Sequence, residues 1–161
     1  MGETVEELRG ERNDLLVAVE RWTPELQREV RSTLWHGVLT KAANQTDRML
    51  ELTVMIAVAR AGESGAAILQ RIASGKTPDR LTMGQRLDAL KSLDRQRLIT
   101  PGARVLGKAD RDLLEDLTGL RNDFLHGRLP SGQGSVETLR FLEYARQLCT
   151  GNFIRRLVGD V

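Results

Sequence analysis

Residues 110–127 have the sequence DRDLLEDLTGLRNDFLHG, in which apolar side chains recur every three or four positions. This spacing is typical of a helix with one apolar face, so we predict a helix from about Asp110 to His126. At about 100° per residue, Arg121 falls within the apolar face, whereas Asn122 and His126 lie together on the other side. An arginine in that position must find an anion or hydrogen-bond acceptors, so we expect a functional site here.

The rest of the chain also predicts helices, because no segment shows sustained alternation of apolar and polar residues and leucine dominates the apolar set. At 161 residues, of which 40% are hydrophobic, the chain can bury the core of one domain. We predict a single domain over residues 1–161, an all-α bundle of about five helices with a long N-terminal helix. Residues 1–22 are predicted to be a helical extension of this domain.

Helical spacing, N-caps and glycine or proline stops set the expected bounds of the helices. Before residue 80 we predict a helix from about Thr4 to Arg21 and a long helix from Thr23-Pro24 to Ala59, whose length allows a break near Gly37 or Asn44. A stop at 61–65 and a short helix at 66–73 follow. After residue 80, we predict a helix that begins at a Thr82–Gln85 capping box and ends at Pro101-Gly102. The helix capped by Asp110 follows, and a last helix is capped by Ser135.

The cysteine content and the apolar runs predict a cytoplasmic location. Cys149 is the only cysteine, so no intrachain disulfide can form, and its apolar neighbours predict that it is buried. The acidic start of the chain lacks the features of a secretion signal, and the longest apolar run, Val54–Ala59, is too short to span a bilayer.

Charge is unevenly distributed along the chain, although the formal net charge is only +2. Residues 1–20 carry 2 basic and 6 acidic side chains, whereas residues 76–111 carry 9 basic and 4 acidic ones. The basic stretch could face a polyanion, or its mixed charges could form an ordinary solvated helix surface.

The pattern Arg121, Asn122, three further residues, His126 and Gly127 resembles the signature of the HEPN families of helical domains. That signature is an arginine, usually followed by a polar residue, and a histidine four to six positions later. The resemblance covers the motif and, loosely, residues 80–158. It implies a homodimer with both motifs in one cleft, acting as a metal-independent endoribonuclease of the toxin or defence type, with RNA as substrate and an antitoxin or another protein as partner.

The chemistry of RNA cleavage fits these residue types. RNA carries its own nucleophile, the 2′-hydroxyl, so its cleavage needs a proton acceptor, a proton donor and positive charge on the phosphate. We expect His126 to be the general acid or base, Arg121 to clamp the phosphate, and Asn122 to orient one of them. No cofactor or metal is required. Because Arg121 and His126 are about 140° apart on a regular helix, either the helix unwinds before His126 or a second chain completes the site.

A purely structural interpretation of the same residues stays open. Arg121 could pair with Asp94, Glu115 or another buried acid, Asn122 could satisfy a backbone group, and His126 could cap the helix C-terminus. One functional alternative is a non-catalytic HEPN-like adaptor or regulator that binds a protein partner or a nucleotide through the same cleft. The other is a DNA-binding regulator that uses residues 82–106.

Other sequence features do not predict a functional site. His36 is interpreted as a packing or surface residue. The Gly75-Lys76-Thr77 segment lacks the leading glycine of a phosphate-binding loop, because position 70 is Gln70, so we interpret it as a connector. With two histidines and one cysteine, the chain has no typical set of zinc ligands, and no metal site is expected.

Overall fold

The computed structural model describes residues 2–20, 32–100, 102–126 and 136–158. Its α-helices are α1 (Gly2–Glu20), α2 (Ser32–Ala73), α3 (Met83–Arg95), α4 (Lys108–Leu125), α5 (Val136–Thr150) and α6 (Asn152–Val158), with a 3-10 turn at Pro78–Arg80. The part of the chain that is described contains no strand beyond an isolated bridge between Thr100 and Ala103. The prediction of an all-α bundle of about five helices is therefore confirmed, with five helices of 13 or more residues and one of seven.

Helix α2 is the centre of the bundle, and the helices α1, α3, α5 and α6 pack against it. A single cluster of buried apolar side chains extends from Leu8 in α1 to Ile154 in α6. Helix α1 contributes Leu8, Leu15 and Val19 to this cluster, so the N-terminal helix is part of the core. Burial of apolar surface by all these helices is the main source of stability.

Among the described residues, one segment is long and apolar enough to cross a membrane, namely Leu39–Ala73 within α2, whose most apolar stretch of 18 residues has a mean hydropathy of 1.4 and is 39% buried. The sequence prediction considered only the longest unbroken apolar run, Val54–Ala59. The apolar segment of this helix is much longer than that run. Its most apolar side chains face the other helices, and Met49, Leu52 and Ile56 are at most 1% exposed. The central helix of a soluble bundle has the same length and composition, so this segment is compatible with a soluble protein.

The long helix has its kink within the stop that the sequence predicts at 61–65. The chain stays helical at Gly37 and Asn44, so the break allowed near them is absent, and helical residues resume after the kink and continue to Ala73. The kink lies at Gly62, whose φ of 58° and ψ of −138° are readily adopted only by glycine. A Cβ at Gly65 would lie 2.7 Å from both the Cβ of Ala61 and the carbonyl oxygen of Val58, so the turns around the kink leave no room for a side chain there. Thr23-Pro24 and Ser135 lie outside the described residues.

Helix α3 begins as predicted and ends earlier. The capping box is confirmed, because the Gln85 N–H donates to Thr82 Oγ1 at 3.2 Å and the Thr82 N–H donates to Gln85 Oε1 at 3.1 Å. The helix ends at Arg95 rather than near Leu98, so the stop predicted at Pro101-Gly102 is wrong. Arg97 has a φ of 56°, and the Leu98 N–H donates to the Leu93 carbonyl at 3.0 Å, which is the Schellman arrangement that closes a helix.

The start of α4 is held by two carboxylates. Asp94 Oδ1 accepts hydrogen bonds from the N–H groups of Val105 (2.5 Å) and Leu106 (3.0 Å), which fixes the connector before α4. Asp110 accepts from the Gly107 N–H at 2.7 Å and also binds Arg156 Nη2 at 2.5 Å. The helix thus begins at Lys108, two residues before the predicted start, with Asp110 in its first turn as the capping group.

Cys149 lies in the core, and burial raises the pKa of its thiol to about 12. We expect the native protein to react with a disulfide reagent at pH 8 at least about a hundredfold more slowly than the unfolded chain, because only the thiolate attacks and burial suppresses it. Following the release of thionitrobenzoate with and without guanidinium chloride measures both rates. Equal rates would mean that α5 does not keep Cys149 away from solvent.

Candidate functional site

Arg121 lies in the penultimate turn of α4, and its side chain is 18% exposed. Its Nη1 donates to Oδ1 of Asn122 at 3.2 Å, and its Nη2 lies 3.4 Å from Oδ2 of Asp47 in α2. Its Nε is buried and has no hydrogen-bond partner among the described residues. Two of the three guanidinium nitrogens therefore have a polar partner within the fold, and the side chain as a whole remains partly exposed.

Asp47 is shared between two arginines. Arg86 in α3 approaches it more closely, with Nη1 at 2.8 Å from Asp47 Oδ1 and 3.1 Å from the Asp47 carbonyl oxygen. Arg86 also donates from Nη2 to Glu51 Oε2 at 3.2 Å and to the Asp79 carbonyl at 3.3 Å, and its side chain is only 3% exposed. Arg86 is thus the main counter-ion of Asp47, and Arg121 makes the longer, outer contact.

The ion-pair network continues outwards to α1. Arg48 binds Glu51 on its own helix and Glu7 on α1, and its hydrogen bond with Glu7 raises the pKa of Arg48 above its ordinary value. With Asp47, Arg86 and Arg121, the network contains three arginines and three carboxylates, so its formal charges balance. It connects α1, α2, α3 and α4 at the level of the motif.

His126 caps the C-terminus of α4. Its backbone N–H donates to the carbonyl of Asn122 at 3.0 Å and is also directed at that of Phe124, while its imidazole is exposed. Among the described residues, no hydrogen bond or ion pair joins His126 with Arg121. Within one chain, a side-chain hydrogen bond therefore joins Arg121 and Asn122, and the described contacts do not join the imidazole of His126 to either of them.

The acid that pairs with Arg121 is neither of the two named from the sequence. Asp94 binds the backbone of the connector, as described above, and Glu115 binds Lys91. The partner is Asp47, which is partly exposed and lies 74 positions earlier in the chain. The general expectation that Arg121 needs an anion is correct, whereas the two named candidates are wrong.

Sequence reasoning also missed Arg86. It lies between Met83, Leu87 and Leu90 on the buried face of α3, where a cation must be compensated by anions. That position within an apolar stripe was the signal that could have identified it.

The side chain of His36 and the segment from Gly127 to Gly134 lie outside the described residues. In the part of the chain that is described, no three His, Cys, Asp or Glu side chains are grouped to hold a metal ion.

Comparison with known proteins assigns no family to this chain. No protein-family model matches it, and no curated protein and no solved structure matches it either. A function therefore has to be inferred from the chemistry of Arg121, Asn122 and His126 and from the charges that surround them.

Proposed function

We propose that this protein is a metal-independent endoribonuclease of HEPN type that acts as a homodimer in the cytoplasm. The observation that carries the proposal is the partly exposed side chain of Arg121, whose guanidinium donates to Asn122 and makes only the longer of the two ion pairs to Asp47. A guanidinium with a weak partner can exchange it for a phosphate, which it binds through two parallel N–H groups. Arg121 is the phosphate clamp and Asn122 orients it.

His126 is the proton-transferring group in this proposal. Its exposed imidazole at the end of α4 can reach a substrate or a second protein copy, and imidazole transfers protons near neutral pH. The RNA 2′-hydroxyl loses its proton to a base and attacks the adjacent phosphate, which forms the P–O2′ bond, and the leaving O5′ takes up a proton from an acid; His126 is one of these two groups. The P–O5′ bond breaks, which leaves a 2′,3′-cyclic phosphate on one product and a 5′-hydroxyl on the other.

A two-fold dimer is proposed because one helix cannot direct both groups at one phosphate. Arg121 and His126 differ by about 140° around α4, whereas a two-fold axis beside the helix would set Arg121 of one copy near His126 of the other. Two large apolar side chains near this end of the bundle support such an interface. Leu125 is 41% and Leu139 is 42% exposed, and Asp123 and Arg140, their near neighbours in the sequence, line one groove between α4 and α5.

The test is cleavage of a mixed RNA pool by the purified protein in the presence of excess chelator. We expect chelator-resistant cleavage and products that end in cyclic phosphate, as mapped by end-specific ligation. A His126→Ala protein purified in the same way controls for contaminating nuclease. Absence of cleavage by the parent protein, or equal cleavage by both preparations, would contradict the proposal.

A non-catalytic binding module is the second candidate, and the ion pair between Arg121 and Asp47 favours it. In that case the network of Asp47, Arg86 and Arg121 serves the packing of α2, α3 and α4, and the cleft binds an antitoxin or another protein. An inactive parent protein that melts at a lower temperature after Arg121→Ala would support this second function. A protein partner also suits the first proposal, because an active enzyme of the toxin or defence type needs an antitoxin or another protein to restrain it.

A further inference from the structure

A second charged site lies between α3 and α4, near the start of α4. It is a cavity of about 310 Å³ lined by Lys91, Asp94, Arg95, Arg104, Arg111 and Glu115. We propose that this cavity binds the phosphate group of a phosphate-bearing ligand, either an RNA backbone or a free nucleotide. The proposal does not depend on the proposed ribonuclease activity.

The charges around the cavity are not balanced. Four cations face two carboxylates, which leaves a formal charge of +2. Both carboxylates are already engaged, because Asp94 accepts two backbone N–H groups and Glu115 binds Lys91. Lys91 is thus neutralised by Glu115, and a negatively charged ligand would meet three arginines, Arg95, Arg104 and Arg111, with which neither carboxylate forms an ion pair.

Two of the arginines are available to a ligand. Arg95 and Arg104 are exposed, and neither makes an ion pair or a side-chain hydrogen bond with another described residue. Arg111 is partly buried, and its Nη1 donates to the Leu106 carbonyl at 3.1 Å, which leaves its other donors for a ligand. Three guanidinium groups around one cavity suit phosphate, since each can bind two of its oxygens.

The cavity is also held in place by the fold. Arg95 lies at the end of α3, Arg104 on the connector and Arg111 in α4. The hydrogen bonds from Asp94 to Val105 and Leu106 fix the connector directly after Arg104. A site whose backbone is already ordered loses little conformational entropy when it binds, and the volume lies at the lower end of the range of small-ligand pockets.

The site is separate from the motif. Arg111 and Arg121 are ten positions apart on α4, which corresponds to about 15 Å along the helix axis. Binding at the cavity and cleavage at the motif can thus be measured independently. The His126→Ala protein serves for all binding measurements, because it is not expected to cut the RNA probe.

The experiment measures the fluorescence anisotropy of a labelled ten-nucleotide single-stranded RNA and, separately, of a labelled ADP, at several salt concentrations. The test variant is Arg95→Gln/Arg104→Gln. The matched control is Arg60→Gln/Arg71→Gln, which removes two exposed arginines from α2 and so lowers the net charge equally. Circular dichroism checks that both variants remain folded.

We expect the test variant to weaken binding by about tenfold or more and the control by less than about twofold. For the RNA, the slope of log K against log salt should fall in magnitude by about 1.4, or 0.7 for each lost phosphate contact on a single strand. Loss of RNA binding alone identifies the nucleic-acid backbone as the source of the phosphate, and loss of ADP binding alone identifies a free nucleotide. Equal weakening by both variants, or no binding of either probe by the parent, would overturn the proposal.

Discussion

Replacing Arg86 with methionine is expected to lower the free energy of unfolding by about 3 kcal/mol. The side chain is 3% exposed and compensates Asp47 and Glu51, so its removal leaves two carboxylates without their buried counter-ion. Loss of one member of a buried pair typically costs about 3–5 kcal/mol. We expect the lower end of this range, because Asp47 retains Arg121 and Glu51 retains Arg48.

Equilibrium unfolding in urea, followed by circular dichroism, measures this loss. Arg48→Met is the matched control, since Arg48 pairs with the same Glu51 but its side chain is 37% exposed. Solvent screens such a pair, so the control should lose less than about 1 kcal/mol. Equal losses of unfolding free energy in the two variants would mean that burial does not make the ion pairs of Arg86 more important for stability than those of Arg48.

The parts of the fold that were predictable from the sequence are those that nearby residues determine. The capping box needs only Thr82 and Gln85, which lie within one helical turn of each other, and it was predicted correctly. The apolar face of α4 likewise follows from its own spacing. Burial of Cys149 was predictable because its neighbours in the sequence are also its neighbours on the buried face of α5.

The errors concern features that depend on contacts between distant residues or on a single backbone angle. The long helix stays helical at Gly37 and Asn44, although both residues permit a bend, whereas its kink at Gly62 lies within the stop predicted at 61–65. Packing against the other helices selects among them, and this packing is not visible in the local sequence. The left-handed conformation of Arg97, which closes α3, is adopted more often by glycine or asparagine, so the sequence contained no signal for it.

At the candidate site, the local sequence likewise predicted the burial of Arg121 but not the acid that pairs with it. The helical phase of residue 121 predicted an arginine within an apolar face, and the side chain is indeed mostly buried. Its partner, Asp47, is supplied by another helix, and Arg86 competes for the same carboxylate. Which acid meets Arg121 is therefore a property of how α2, α3 and α4 pack together, and no spacing along the chain encodes it.

Cleavage of RNA is expected to fall by about 10²- to 10⁴-fold in His126→Ala, because that range is typical of losing a general acid or base. Arg121→Ala should cause a loss of similar size through the phosphate contact. The imidazole of His126 is exposed, so His126→Ala should melt within a few degrees of the parent protein. Initial rates with a fluorescently labelled RNA, together with thermal melting, measure both properties.

Asp47→Asn separates the two roles of Arg121. This variant removes the negative charge that Arg121 and Arg86 share and keeps the size of the side chain. If Arg121 acts on the substrate, Asp47→Asn should reduce stability and leave the cleavage rate of the folded protein within about tenfold of the parent. If Arg121 serves only the network, Asp47→Asn and Arg121→Ala should lower the cleavage rate and the stability together.

Mixing the two inactive variants tests whether the site is shared between protomers. In a heterodimer of Arg121→Ala and His126→Ala chains, one of the two composite sites in the shared cleft lacks both groups, and the other combines an intact Arg121 with an intact His126. When equal amounts associate at random, about half of the dimers are heterodimers, and each of these has one of its two sites intact. About a quarter of the parental activity should therefore return. If each site used both groups from one chain, every site in the mixture would lack one of them and no activity would return.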